Sequence, residues 1–251
     1  MESFVIDINC DLGEGVGNDH LLMPFLSSCN IACGGHAGDE DTMRQTVQLA
    51  KQHRTKIGAH PSFPDKENFG RTEMRLPPEE LTSLVLDQIE ALDAIAKDEN
   101  TLLNHVKPHG ALYNMATVDV GIAEAIVKAI LLFDENVILY APFGSVMAKL
   151  AREQSITVMF EAFADRNYND DLTLVSRKLD NAVIQNPEVI LTHVLRMIKE
   201  KKVRSQSGKL FSIQADTLCI HGDNSHAVDI VSYLHQQLPA NNITIAKVGA
   251  V

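Results

Sequence analysis

Side chains that could transfer protons, bind a metal or hold a charged ligand recur along this chain, mostly just after short apolar runs. The set contains carboxylates, histidines, a lysine and two arginines. These residue types suit general acid–base catalysis, metal binding or the stabilisation of developing charge. In chain order the candidates are Asn9, Asp11, Glu14, His36, His60, Arg71, Lys107, His109, Glu161, Asp165, Arg166 and His221.

The first candidate segment is DINCDLGE, residues 7–14. Alternate residues of a strand share a face, so Asp7, Asn9 and Asp11 are predicted to point the same way. Carboxylates in this arrangement suit a general base or a metal ligand. The competing interpretation is an aspartate that only accepts hydrogen bonds from backbone amides in a turn.

Three further segments carry histidines. His36 lies among glycines, His60 ends an apolar run before two prolines, and Lys107 and His109 end another run. Histidines from several strands, together with Asp11, could hold a divalent metal. Lys107 is a poor neighbour for a metal and a good one for an oxyanion or phosphate.

Residues 161–168, EAFADRNY, combine acids with an arginine. Arg166 suits bidentate capture of a carboxylate. The alternative is an internal salt bridge between Asp165 and Arg166 that only shapes the loop. The polar stretch that continues to Asn186 is too long for a simple connection, and loops of that length are often functional.

The apolar runs predict strands, and the segments between them have helical periodicity. The predicted strands are Phe4–Asn9, Asn30–Cys33, Lys56–His60, Asn104–Pro108, Val137–Ala141, Ile156–Glu161, Thr217–His221 and Ile243–Val248. The predicted helices are Asp39–His53, one from Pro77 to Ile95, Val118–Leu132, Gly144–Glu153, Pro187–Glu200 and Asn224–Gln237. This alternation indicates parallel strands, either closed into a barrel or open and doubly wound. In both folds the active site lies at the carboxyl ends of the strands, where the candidates fall.

Composition narrows the class of protein. A chain of 251 residues is a normal size for one α/β barrel, and its net charge of -11 makes nucleic acid a poor partner. The first residues lack the basic start and apolar run of a signal peptide, and no run reaches membrane-spanning length. The segment GEGVG is not a phosphate-binding loop. We therefore expect a cytoplasmic protein that binds neither nucleic acid nor membrane and has no recognisable nucleotide loop of its own.

Six segments resemble, in their order and in their residues, the motifs of the LamB/YcsF family, whose members act as the A component of bacterial 5-oxoprolinase. The matching stretches are DINCDLGEG, NIACGGHAGD, IGAHPSFPD with NFGR, VKPHGALYN, EAFADRNY and CIHGD. The resemblance implies a single (β/α) barrel over residues 1–251, with seven or eight parallel strands, similar to polysaccharide deacetylase barrels. It also implies partners, subunits B and C, which are related to allophanate and urea-carboxylase components.

The implied reaction is the ATP-dependent opening of 5-oxo-L-proline to L-glutamate, with Mg²⁺ accompanying ATP. Phosphorylation of the lactam oxygen would activate the amide for attack by water. Asp11 or Glu14 would act as general base, while Lys107 and the three histidines would stabilise charge. The residues expected to bind substrate are Asn9, Arg71, Glu161, Asp165, Arg166 and His221.

Two other functions could use the same pocket. A metal-dependent amidase or deacetylase would draw its ligands from Asp11, His36, His60 and His109 and would need no ATP. A non-catalytic subunit would bind 5-oxoproline and leave the chemistry to its partners. The number of ionisable groups at strand ends favours catalysis.

Overall fold

Parallel strands close into a barrel in the computed structural model, which describes residues 3–246. In chain order the strands are β1 (Phe4–Leu12), β2 (Ser28–Ala32), β3 (Lys56–His60), β4 (Leu103–Val106), β5 (Ile138–Pro142), β6 (Val158–Phe163), β7 (Lys202–Arg204), β8 (Leu210–Ser212), β9 (Thr217–Ile220) and β10 (Ile243–Ile245). Hydrogen bonds connect β1-β2-β3-β4-β5-β6-β9 in that order, and β9 pairs back with β1. The sheet is therefore a closed seven-stranded barrel and not an open doubly wound sheet.

Helices alternate with the barrel strands. They are α1 (Asp19–Leu22), α2 (Glu40–His53), α3 (Pro78–Asp98), α4 (Gly110–Ala116), α5 (Val120–Phe133), α6 (Val146–Glu153), α7 (Pro187–Leu195) and α8 (Ala227–Ala240). Asp39 is the N-cap of α2, because its carboxylate accepts the backbone N–H of Thr42 at 2.8 Å. Within residues 3–246, no helix combines the length and the apolar character needed to cross a bilayer.

All eight predicted strands are present, with ends that differ by a few residues. The last one, predicted over Ile243–Val248, is β10. It pairs with Phe4–Ile6 at the start of β1 and is not part of the closed wall, and residues 247 and 248 lie outside the described residues. The antiparallel hairpin of β7 and β8 was not predicted, because strands of three residues carry too little periodicity to detect. The short helices α1 and α4 were not predicted either.

The interior of the barrel is polar along β1. Asp7 Oδ2 accepts a hydrogen bond from Thr217 Oγ1 at 2.6 Å, and Asn9 Nδ2 donates to the same hydroxyl oxygen at 2.7 Å. Farther along the strand, Lys107 Nζ donates to Asp11 Oδ1 at 2.7 Å. Asp7, Asn9 and Asp11 therefore share the inner face of β1, as the alternation predicted, and this row leads up to the carboxyl end of the barrel.

Gly58 on β3 provides the space that the His105 ring occupies inside the barrel. A Cβ atom at position 58 would overlap that ring, which is fully buried. The ring cannot easily move away, because it stacks on Tyr140 with 3.9 Å between centroids and contacts Asn30 Oδ1 at 2.7 Å. Gly58→Ala is therefore expected to lower the free energy of unfolding by about 1–3 kcal/mol, as measured by urea denaturation.

Gly121→Ala is the matched control for that substitution. Gly121 is exposed in α5, and a Cβ there would only approach Asp119 Oδ1 at 3.6 Å. Alanine at this helical position is expected to stabilise by about 0.5–1 kcal/mol. Equal effects of the two substitutions would contradict the role given to Gly58.

Candidate active site at the carboxyl ends of the strands

A pocket of about 550 Å³ opens where the barrel strands end. The predicted site residues that line it are Asp11, Glu14, His60, Arg71, Lys107, His109, Glu161, Arg166 and His221. The remaining predicted residues, Asn9, His36 and Asp165, are buried and each contacts one of the lining residues. The fold thus brings together side chains from both ends of the sequence.

Lys107 is the charged centre of the pocket floor. Its Nζ lies 2.7 Å from Asp11 Oδ1 and 3.1 Å from both Glu161 Oε1 and Cys219 Sγ. Burial alone would lower the pKa of Lys107, but the negative charges around it, Asp11 first, hold that pKa well above its usual value. Burial likewise opposes ionisation of Asp11, but His60 and Lys107 hold the pKa of Asp11 well below its usual value. Both groups are therefore charged at neutral pH.

Glu161 is fixed from two sides beneath the pocket. Its Oε1 accepts a hydrogen bond from Asn9 Nδ2 at 3.0 Å, and its Oε2 accepts one from the Tyr113 hydroxyl at 2.6 Å. Asn9 is completely buried. The structure thus places Asn9 below the pocket, as a support for Glu161, and both were predicted to bind substrate. Tyr113, which lines the pocket, was missed although it lies within the VKPHGALYN segment.

His60 and His109 face each other through one ring nitrogen each. His60 Nδ1 lies 2.6 Å from the carbonyl oxygen of Lys107, and His109 Nε2 lies 2.9 Å from that of Phe69. A carbonyl only accepts hydrogen bonds, so each of these two nitrogens carries a hydrogen. The two remaining nitrogens, His60 Nε2 and His109 Nδ1, are 2.9 Å apart. Two lone pairs oppose each other there unless a proton or a cation is shared between them.

Glu14 joins this histidine pair to His36. Glu14 Oε1 lies 2.9 Å from His36 Nε2, 3.4 Å from His109 Nδ1 and 3.9 Å from His60 Nε2. Burial, together with the charges of Asp11 and the more distant Asp223, raises the pKa of Glu14 well above its usual value. Burial and the nearby His60 lower the pKa of His36 to about 3. Glu14 is therefore the carboxylate that can gain and lose a proton, beside a neutral imidazole.

The histidine cluster, defined as Glu14, His36, His60 and His109, has the composition of a metal site. One ligand atom from each residue lies within 4.8 Å of the others, and carboxylate and imidazole groups suit zinc and related ions. The backbone carbonyls that accept N–H groups from His60 and His109 match the outer partners of metal-bound histidines. These residues could therefore hold a metal ion.

Asp11 lies beside this cluster and is not one of its members. Its Oδ2 is 3.4 Å from His60 Nε2, and it forms a second possible ligand group with Cys219 and His221. The sequence predicts Asp11 as a candidate ligand beside the three histidines. In the structure Glu14 takes that place, because the chain turns after β1 and returns Glu14 over the histidines while Asp11 pairs with Lys107.

Asp165 orients His221 on another wall of the pocket. Asp165 Oδ1 lies 2.9 Å from His221 Nδ1, and Asn224 Nδ2 donates to Asp165 Oδ2 at 3.2 Å. Burial favours the neutral form of Asp165, but His221 and Asn224 keep its pKa below the usual value. Asp165 is therefore a positioning residue behind His221.

Arg166 holds the loop between β6 and α7. Its Nε donates to the carbonyl oxygen of Ala182 at 3.1 Å, and its Nη2 donates to that of Val175 at 2.6 Å. Asp165 pairs with His221, so the alternative internal salt bridge with Arg166 does not form within residues 3–246. Two of the donors of Arg166 are thus engaged by backbone and are not available to a ligand carboxylate.

Arg71 and Arg177 meet at Asp223 in the lining of the pocket. Arg71 Nη2 lies 2.6 Å from Asp223 Oδ2, and the Nη1 and Nη2 atoms of Arg177 lie 3.2 and 3.3 Å from the two carboxylate oxygens. Arg71 was among the predicted residues, whereas Arg177 was missed. The available signal was its position in the polar stretch that the sequence analysis marked as functional.

Comparison with known proteins agrees with the resemblance seen in the motifs. The model of the LamB/YcsF family matches residues 6–251. A protein of Staphylococcus carnosus, named as the A component of 5-oxoprolinase, is 44% identical over 249 residues, which are 97% of this chain and 99% of that protein. One of Bacillus cereus with the same name is 47% identical over 246 residues, covering 96% and 97%.

Solved structures agree on the fold. The crystal structure of a lactam utilization protein from Thermus thermophilus superposes with a TM-score of 0.90 at 39% identity, covering 96% of this chain and 99% of that one. A putative cellobiose-phosphate cleavage protein from Enterococcus faecalis superposes with a TM-score of 0.57 at 12% identity, covering 98% of both chains, a likeness of fold alone.

Proposed function

The chain belongs to the LamB/YcsF family, and from this membership we propose that it is the A component of a 5-oxoprolinase. In that role it opens the lactam of 5-oxo-L-proline to L-glutamate in a reaction coupled to ATP hydrolysis. The observation that carries the proposal is the pairing of two neighbouring buried carboxylates, Asp11 and Glu14, whose pKa values are shifted in opposite directions. Such a pair provides one permanently ionised group and one proton carrier, as acid–base chemistry requires.

The reaction needs activation because a five-membered lactam is a stable amide. The lactam oxygen attacks the γ-phosphorus of ATP, an O–P bond forms, and ADP leaves, which gives a phosphorylated imidate. Water then adds to the imidate carbon, and the ring C–N bond breaks as the nitrogen takes up a proton, which leaves an acyl phosphate. A second water molecule displaces phosphate and gives glutamate. ATP and two water molecules are consumed for each ring that opens.

In this scheme Glu14 accepts the proton of the attacking water and returns it to the ring nitrogen. Lys107 supplies a fixed positive charge for the oxygen on which negative charge develops. Asp11 keeps Lys107 charged and in place through the contact of 2.7 Å. His60 and His109 add hydrogen-bond capacity on the same side.

ATP, Mg²⁺ and partner subunits complete the proposed enzyme. The relatives are named as one lettered component of an enzyme, which implies further subunits, and we assign these to the B and C components of 5-oxoprolinase. Because the sequence has no recognisable nucleotide loop, we propose that ATP binding is atypical or shared with these partners. We treat residues 1–251 as one barrel domain that acts in the cytoplasm, where the four unpaired cysteine thiols would stay reduced.

The histidine cluster also fits a divalent metal. Its four residues would hold the ion, and the observation that favours one is the set of ligand atoms, from one carboxylate and three imidazoles, that lie within 4.8 Å of one another. A bound ion would polarise a carbonyl or lower the pKa of a water molecule. The same cluster supports a second candidate function, a metal-dependent amidase or deacetylase that needs no ATP. A third candidate is a subunit that only binds 5-oxoproline. It gives no role to the shifted pKa values of Asp11 and Glu14.

Glutamate formation from 5-oxoproline separates these functions. We expect glutamate only when this chain, subunits B and C, ATP and Mg²⁺ are all present, with ADP formed alongside it. Hydrolysis by this chain alone, without ATP but with bound zinc found by metal analysis, would favour the amidase. Unchanged glutamate formation by subunits B and C without this chain would reject a catalytic role.

A further inference from the structure

The cations that line the pocket differ in how much of their charge is neutralised. Lys107 lies between two carboxylates, those of Asp11 and Glu161, both within 3.1 Å. Arg166 has two of its donors on loop carbonyls. Lys107 is thus paired within the protein, and Arg166 is only 5% exposed within its loop, which leaves Arg71, Arg177 and Lys178 as the more accessible cations of the lining.

Arg71 and Arg177 are the two of these cations that meet at one carboxylate. Together they face one carboxylate, that of Asp223, so two guanidinium groups share a single negative charge. Arg71 contacts Asp223 through only one of its nitrogens, at 2.6 Å, and its side chain is 40% exposed. Each guanidinium has five N–H donors, so donors remain for a second carboxylate.

Both arginines are held in place by buried structure. Arg71 follows Phe69 and Gly70, whose carbonyl oxygens accept hydrogen bonds from His109 Nε2 and from the backbone N–H of Ala111. The guanidinium of Arg71 also lies over the Phe69 ring, 4.8 Å from its centroid. The backbone that leads into Arg71 is thus hydrogen-bonded directly to His109 of the histidine cluster.

Arg177 belongs to the loop between β6 and α7. Two residues before it, Val175 is fully buried, and its carbonyl oxygen is the one bound by Arg166 at 2.6 Å. Asp223 keeps the two guanidinium groups together in spite of their mutual repulsion. Burial opposes its ionisation, but Arg177, His221 and Arg71 lower the pKa of Asp223 below the usual value.

We propose that Arg71 and Arg177, organised by Asp223, are the carboxylate-binding site of this pocket. This rests on the proposed function and deepens it: the ligand is a small lactam that carries a carboxylate, and an uncharged lactam of the same shape is rejected. A planar guanidinium pair matches carboxylate geometry, and a ligand held there bridges the loop to the histidine cluster. The carboxylate thereby sets the position of the lactam carbonyl relative to Glu14.

The test compares Arg177→Met with Arg75→Met in the assembled complex. The control removes the same side chain and charge from an arginine that pairs with Asp119, is 76% exposed and lies outside the pocket lining. Without ATP, calorimetric titration measures the binding of 5-oxoproline, its uncharged carboxamide, and inorganic phosphate. We expect the parent and Arg75→Met to prefer 5-oxoproline over the carboxamide by about tenfold or more, and Arg177→Met to lose that preference. Arg177→Lys is expected to retain only part of it.

Several results would overturn the proposal: no binding of 5-oxoproline by the parent, no preference for the carboxylate, an intact preference in Arg177→Met, or tighter binding of phosphate at the same site. Glutamate formation is measured on the same preparations, which separates the two claims. If turnover with ATP does not depend on Arg177, the proposed carboxylate-binding site is rejected and the proposed function stands. If the carboxylate preference depends on Arg177 but no glutamate forms, the proposed function is rejected and the binding site stands.

Discussion

Glu14→Gln lowers the rate of glutamate formation by the complete enzyme by about 10²–10⁴-fold. Glutamine keeps the shape of the side chain and can still contact His36, but it cannot accept a proton. The fold is expected to persist, because the substitution removes a buried negative charge that lies near Asp11. Initial rates and thermal unfolding, measured on the same preparations, check both parts of this prediction.

The pH profile adds a second readout for Glu14. A general base works only when it is deprotonated, and the pKa of Glu14 is raised by burial and by Asp11. Activity of the parent should therefore fall as the pH decreases through a value above that of an ordinary glutamate. The residual activity of Glu14→Gln should lack this limb.

Glu73→Gln is the matched control, because Glu73 lines the pocket but is exposed and lies outside the histidine cluster. It is expected to keep the parental rate and pH profile. Parental activity in Glu14→Gln, or equal losses in the two variants, would show that Glu14 is not the base.

Lys107→Met destabilises the protein by about 3–5 kcal/mol and stops turnover. The loss is large because the substitution leaves two buried carboxylates, Asp11 and Glu161, without their cation. Methionine fills a similar volume, so the effect comes mainly from charge. Urea denaturation measures the free energy of unfolding, and the glutamate assay measures turnover.

Lys97→Met provides the comparison for that prediction. Lys97 also forms an ion pair, with Asp93 at 2.6 Å, but its side chain is 66% exposed. Pairs of this kind contribute about 0–1 kcal/mol, so this variant should stay close to the parent. If Lys97→Met and Lys107→Met lose equal stability, burial of the charge is not the cause.

The dependence of stability on pH should also be weaker in Lys107→Met than in the parent. In the parent the pKa of Asp11 is depressed, so its stabilising contribution is complete above the ordinary aspartate pKa and is lost as the pH falls below it. His60 and Lys107 both lower that pKa, so removal of Lys107 leaves a smaller depression and a smaller contribution. Urea denaturation across the acid range should therefore show a smaller loss of stability in Lys107→Met than in the parent as the pH is lowered.

The position of the pocket was predictable because strand ends are marked in the sequence by polar residues that follow short apolar runs. His60 and Lys107 follow apolar runs directly, and parallel strands deliver such residues to one end of a barrel. The family motifs mark the same segments. Barrel closure, in contrast, depends on the pairing of β9 with β1 over more than 200 residues of chain, which no local pattern encodes.

The partners of each side chain were not predictable, because they depend on how loops fold back. Arg166 has the residue type of a carboxylate binder, but its loop surrounds it and engages two of its donors. Arg177, eleven residues later in the same loop, is the more exposed arginine and is the one proposed to bind a carboxylate. The proposal of Glu14 rather than Asp11 as the base likewise rests on the distances from these carboxylates to His36 and Lys107, which no sequence pattern gives.

If 5-oxoproline is opened in the pocket of this chain, the reaction takes place next to Asp11. The decisive experiment is glutamate formation by Asp11→Asn in the complete mixture with ATP and subunits B and C. Asp39→Asn is the control, since Asp39 caps α2 outside the pocket and asparagine preserves a cap. With folding and assembly verified for each variant, we expect parental turnover for Asp39→Asn and no detectable glutamate for Asp11→Asn. Parental turnover by Asp11→Asn would instead place the chemistry in the partner subunits.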